Sequence, residues 1–176
     1  RGCSAWLRGG ADGKEKQRAP GSLLTERVAR PKARRGAQLE GRELDIHEIA
    51  AFCQTNTPPN CIKIIEGVGG VMVPLTNQAT VLDLMVEVGA PVLLVVGSYL
   101  GTLSHTLTAL HTVQDHGLKV LGIVISESVD SEVPLSETKA TLSHFSHGVP
   151  VIELPRLSAE VKDKKLPSIA RLIGLF

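Results

Sequence analysis

The chain has 176 residues, 43% of them apolar and 21% charged, and a formal net charge of +1. Those values suit one globular domain with a real core and exclude disordered, collagen-like and disulfide-dense classes. Aromatic residues are only 3%, which argues against base-stacking platforms, and runs such as Pro91–Val96 fall far short of the about 20 residues a membrane helix needs.

The small net charge hides a split. Residues 1–36 carry ten Lys/Arg against three Asp/Glu, and residues 37–176 carry nine against fifteen. The basic segment is rich in Gly, Arg and Ala, is broken at Pro20 and Pro31, and shows no helical or strand period. It reads as a poorly ordered leader, and nucleic-acid binding is not expected of it. The first residue is Arg1 rather than Met, as in a fragment or a chain with a non-native leader. No basic-then-apolar secretion signal is present. Cys3, Cys53 and Cys61 show no C-x-x-C spacing, so neither a zinc ribbon nor a disulfide scaffold is expected, and a reducing cytoplasm is the expected compartment.

Regular patterning starts near residue 44. Asp45 suits a helix cap, followed by Ile46, Ile49, Ala50 and Phe52 at helical spacing. Residues 61–65 read as a β-branched strand that ends in Glu66-Gly67-Val68-Gly69-Gly70. Residues 80–88 suit a helix. The unbroken apolar run 91–96 predicts a central parallel strand covered on both faces. A turn over 97–101 leads to a helix over 102–116 with Leu103, Leu107, Leu110 and Val113 along one stripe. A strand over 119–125, a helix over 135–147, a short strand over 150–154 and a helical tail from 168 complete the pattern. Strands alternating with helices predict right-handed βαβ units in a parallel sheet.

In such sheets ligands sit beyond the carboxyl ends of the strands. That rule draws attention to Glu66, to 97–102 and to Ser126-Glu127. A carboxylate ending a buried strand needs a cation or donors. It either meets a hard cation such as Mg²⁺ or caps a neighbouring helix or loop. The run Gly101-Thr102-Leu103-Ser104-His105 opens a helix, where bare amides and the dipole favour an anion. Thr102 and Ser104 would add hydroxyls, or Thr102 would merely cap the helix. His144 and His147 stand three apart and more plainly form a solvated face than a metal site. The sequence has no G-x-x-x-x-G-K-[ST] phosphate loop. Its one Gly-Lys, Gly13-Lys14, is followed by Glu15 and has Arg8 where the first glycine belongs. No G-x-S-x-G elbow occurs either.

The run Ile64-Ile65-Glu66-Gly67-Val68-Gly69-Gly70-Val71-Met72-Val73-Pro74-Leu75 resembles the V-E-G-A-G-G-x-x-x-P-L signature of ATP-dependent dethiobiotin synthetases. The run from Pro91 to His105 is similar to that family's P-V-I-L-V-V-G-x-x-L-G-x-I-N-H, and Gly117-Leu118 to Gly122-Ile123-Val124 resembles its next strand. Glu40-Gly41-Arg42 matches the family's E-G-R. The resemblance spans roughly residues 37–157.

It implies an α/β fold of three layers, a P-loop NTPase-like parallel sheet flanked by helices, here without the N-terminal strand and phosphate loop. It divides the chain into a leader, 1–36, and a synthetase-like domain, 37–176. It implies a homodimer that joins CO₂ to 7,8-diaminononanoate with ATP and Mg²⁺. One amine becomes a carbamate, the γ-phosphate activates it, and the second amine closes the ureido ring of dethiobiotin in biotin biosynthesis. By the same resemblance Glu66 matches an Mg²⁺ ligand. Gly101, Thr102, Leu103 and Ser104 match the helix start that receives the substrate carboxylate from across the dimer. Glu66, Gly67, Gly69, Ser126, Pro155 and Leu157 fall on the nucleotide side, with Ser126 at a position that commonly reads adenine through Asn. Residues 1–36 carry no counterpart of the phosphate loop or its lysine, as a truncated or frame-shifted gene model would give. The expectation is therefore weak ATP binding and slow or absent turnover; the alternative is a non-catalytic dimeric relative with a binding or regulatory role.

Overall fold

The computed structural model describes residues 23–27, 43–55, 61–67, 69–129, 131–156 and 169–172. Their order is β1 (Leu23–Arg27), α1 (Ile46–Cys53), β2 (Ile62–Glu66), α2 (Val81–Val88), β3 (Val92–Gly97), α3 (Thr102–Asp115), β4 (Val120–Ser126), α4 (Leu135–Phe145), β5 (Val151–Leu154) and α5 (Ile169–Leu172). The strands form two parallel groups, β1–β2 and β3–β4–β5.

The three-stranded group carries the tighter core. Leu94, Leu110, Ile123, Ile125, Leu142 and Val151 form one buried cluster. Each such side chain contributes about 1.5–3 kcal/mol when withdrawn from water. The centre of this sheet is β4, whose four consecutive residues Gly122, Ile123, Val124 and Ile125 are all buried. The expectation that 91–96 is the central strand is corrected. Among the described residues β3 pairs only with β4, and Val95 is 64% exposed. An unbroken apolar run marks a strand but does not distinguish an edge from a centre.

On α3 the buried residues are Thr102, Thr106, Leu110 and Val113. The predicted stripe is thus rotated: Leu103 stands at 36% exposure and Leu107 is only partly buried. Two threonines take the positions nearest the helix start, and the Thr106 hydroxyl is buried without a hydrogen-bond partner among the described residues. The helix stops at Gly117, whose φ of 75° is the left-handed conformation that only glycine adopts cheaply.

The second core joins α1 and α2 through Ala50, Cys53, Leu75 and Leu84, with Ile65 of β2 against it. Asp45 caps α1 by accepting from the His47 amide at 2.8 Å. Phe52, expected on the buried face, is 44% exposed; Cys53 takes the buried place. Lys63 Nζ donates to the carbonyls of Cys53 and Thr55, placing a cation at the negative end of α1.

Strand β1 lies inside the basic leader, where no strand was expected. Its register sets Leu23 opposite Ile62 and Arg27 opposite Glu66. Leu-Leu-Thr-Glu-Arg carries no alternating pattern of its own, and strand formation depends more on the neighbour than on intrinsic preference. Glu40, Gly41, Arg42 and Leu157 lie outside the described residues. Among those described, no helix is long and apolar enough to cross a membrane.

Candidate functional site

The carboxyl ends of β3, β4 and β5 meet at one edge, and a continuous set of hydrogen bonds ties the segments that follow them. The β3–β4 ladder ends at Gly97 opposite Ser126, and the β4–β5 ladder at Ser126 opposite Leu154. Beyond the first ladder the Ser98 amide donates to Ser128 Oγ at 3.1 Å, and the Ser128 amide donates to Ser98 Oγ at 2.9 Å. Beyond the second, the Glu127 amide donates to the Leu154 carbonyl at 3.0 Å, and the Arg156 amide donates to Glu127 Oε2 at 2.8 Å. Pro155 sits between those two anchors. The structure therefore brings together Gly101 to Ser104, Ser126 and Pro155.

The turn after β3 is built on glycine for steric reasons. A Cβ on Gly97 would lie 2.8 Å from Tyr99 Cδ1 and 3.0 Å from Ser128 Oγ. Gly101 is the N-cap of α3 with φ 94°, and no side chain caps this helix. The Thr102 amide donates to the Tyr99 carbonyl and the His105 amide to the Gly101 carbonyl, which leaves the amides of Leu103 and Ser104 at an uncapped positive pole. The Thr102 hydroxyl turns back and donates to the Gly97 carbonyl. It is buried and spent on holding the turn, so it neither caps the helix nor offers a donor outward. Tyr99 Oη lies 3.1 Å from His105 Nδ1 beside this turn, and Leu100 is 95% exposed.

Glu66 closes β2, which belongs to the other strand pair, and its residue is exposed. Gly67 follows it at a tight place: a Cβ there would stand 3.2 Å from Val81 Cγ1. Gly69 has φ 99° and lies against Val73. Among the described residues no three His, Cys, Asp or Glu side chains cluster as a metal cage. Mg²⁺ takes hard oxygen ligands and is commonly held by one or two carboxylates plus phosphates. The exposed Glu66 carboxylate at a strand end fits as one such ligand and is not a metal site alone.

The groups with displaced acidity lie elsewhere. Asp83 is held below the usual carboxylate value by hydrogen bonds from the Thr80 amide and hydroxyl. His47 is raised by its hydrogen bond and charge contact with Glu87, 3.1 Å away. His147 does not share a helical face with His144. The helix ends at Phe145, and His147 has φ 51° beyond it, its ring 6.0 Å from that of His111.

Sequence reasoning pointed to the three strand ends but did not single out Ser98, Ser128 or Arg156. Short polar residues just after parallel strands were the available signal, since such side chains commonly bond to nearby loop amides.

A family model described as "AAA domain" matches residues 14–162, a range that takes in most of the basic leader, β1 included. An "ATP-dependent dethiobiotin synthetase BioD" of Caulobacter vibrioides is 45% identical over 122 residues, covering 68% of this chain and 55% of the relative. The proteins of that name from Phenylobacterium zucineum and Methylobacterium nodulans are 46% and 41% identical over 96 and 123 residues, covering 54% and 68% of this chain and 41% and 54% of theirs. The chain thus spans about half the length of the curated relatives it matches. Parallel strands alternating with helices agree with the P-loop NTPase-like α/β fold of that family. The chain belongs to the AAA domain family that includes the dethiobiotin synthetases.

Proposed function

We propose that the chain carries the diamine-binding and adenine-side portion of a dethiobiotin synthetase. Such an enzyme is an ATP-dependent ligase that closes the ureido ring from 7,8-diaminononanoate and CO₂. The uncapped start of α3 is the observation that carries this reading. A fatty-acid-like diamine has one carboxylate, and the Leu103 and Ser104 amides at the helix pole suit it. Gly101 lets the backbone approach the ligand, and Thr102 holds the turn from behind. Ser126 and Pro155, tied to the same edge, suit the adenine side. Ser126 supplies one hydroxyl, which donates one hydrogen bond and accepts others but lacks the amide's paired groups.

In this reading Glu66 is a single carboxylate ligand to Mg²⁺. The ion, when bound, neutralises charge on the nucleotide phosphates. The chain's own residues bind and orient: one amine of the diamine, as a carbamate, lies toward the phosphates so that its oxygen takes the γ-phosphoryl group as ADP leaves, and the other amine is held to attack the carbonyl carbon of that mixed anhydride, losing a proton as phosphate departs. The rate gain is expected from positioning and charge neutralisation rather than from a side-chain nucleophile. Tyr99, Leu100 and Leu103 are exposed beside the anion turn, which supports a homodimer that covers this patch and receives the carboxylate from the partner subunit. A monomer by light scattering at micromolar concentration would contradict that arrangement.

The test is calorimetric titration of 7,8-diaminononanoate into the chain, followed by mass-spectrometric detection of dethiobiotin with bicarbonate and MgATP. Saturable diamine binding is expected, with slow product formation because residues 1–36 hold no glycine-lysine phosphate loop. No diamine binding would overturn the reading.

A further inference from the structure

We propose that Ser98 and Ser128 are positioning residues. They form a reciprocal latch that sets the anion-binding start of α3 against the nucleotide-side edge at Ser126 and Pro155. This inference rests on the function proposed above for those two sides. The residues are 30 positions apart, and each accepts the other's amide proton through its own Oγ, at 3.1 and 2.9 Å. Two parallel strands need no such link beyond their ladder, which has already ended at Gly97 and Ser126. The latch adds two bonds where the loops would otherwise diverge.

The surroundings make it a rigid connection. Ser98 is 4% exposed, so its oxygen is largely withdrawn from competing water. The bare Gly97 leaves room for Ser128 Oγ, which a Cβ there would meet at 3.0 Å. On the α3 side the Thr102 hydroxyl returns to the Gly97 carbonyl. On the other side Glu127 bonds to Leu154 and Arg156. The chain of hydrogen bonds therefore runs from the helix start to the β5 edge through the serine pair. In a dimer whose α3 start takes the carboxylate of the partner subunit's substrate, that link ties the carboxylate anchor of one site to the nucleotide-side edge of the other.

The experiment uses the full chain with Ser98→Ala, Ser128→Ala and Ser128→Thr, the last keeping the acceptor oxygen. Hydrogen exchange by mass spectrometry should show S128A speeding exchange in peptide 97–104 by about fivefold to tenfold, and S98A doing the same in 126–129, as expected for one lost hydrogen bond. Unchanged exchange in both would overturn the latch. Calorimetry should show S128A weakening 7,8-diaminononanoate by about fivefold, with S128T restoring wild-type affinity. Faster exchange with unchanged affinity, or failed rescue by S128T, would overturn the positioning role. Wild-type chain that binds no diamine would contradict the proposed function instead, and the latch would then be decided by the exchange result.

Discussion

The two helices α2 and α3 each follow a loop at the carboxyl end of a parallel strand, yet they begin in opposite ways. The start of α2 is sealed. Thr80 and Asp83 form a reciprocal capping box, and the Val81 and Leu82 amides donate to the Val73 and Val71 carbonyls. The start of α3 has a left-handed glycine, no side-chain cap, and a threonine whose hydroxyl faces backward. A sealed start satisfies the first-turn amides and stabilises the fold. An open start leaves amides and dipole for a ligand. Under the function proposed above, the contrast separates a helix start that serves stability from one that serves binding.

Substitutions test the difference between the two helix starts. The largest effect is expected from Leu110→Ala, since Leu110 is fully buried on the core face of α3. A loss of about 3 kcal/mol in denaturant unfolding is expected, because an open helix start must be anchored by its core face. Next comes Gly101→Ala. The left-handed backbone at φ 94° should cost about 1 kcal/mol in stability, and calorimetry should show diamine affinity falling about tenfold or more as the turn shifts. Thr80→Ala should cost about 1 kcal/mol in thermal unfolding by removing the capping box, with diamine affinity unchanged. Equal affinity losses in G101A and T80A would erase the distinction.

The smallest expected effect is a change in the acid limb of stability. The folded-state acidity constant of Asp83 lies below its ordinary value of 3.8. Its stabilising contribution is therefore full above that value and is lost as pH falls through the lower folded one. Asp83 is exposed, so the effect is modest. Unfolding of T80A followed from pH 5 downward should show a shallower acid loss than wild type.

Much of this was legible in residue patterns. The spacing of Ile46, Ile49 and Ala50, the β-branched run at 62–65 and the glycine at 117 each have a local physical cause, and the elements appear where that cause puts them. Features decided by neighbours were not legible. Val95 reads like the buried Leu94 and the partly buried Val96 on either side, but exposure depends on which strand lies beside it. Leu23 to Arg27 becomes a strand only in register with β2. At the candidate site the uncapped turn before α3 was legible, because glycine before a helix has a known consequence. The serine latch could not, because two serines 30 residues apart carry no mutual signal until β3 and β4 lie side by side. Thr102 shows the same limit: its residue type suited a cap, while its place just inside the helix sent the hydroxyl to Gly97.

An amide NMR titration of the full chain with 7,8-diaminononanoate reads the open start of α3 and the sealed start of α2 in one experiment. The largest shifts should fall on Leu103 and Ser104, with the sealed amides of Val81 to Asp83 unmoved. Shifts centred on α2, or none in the turn after β3 at saturating diamine, would contradict the role proposed for the α3 start.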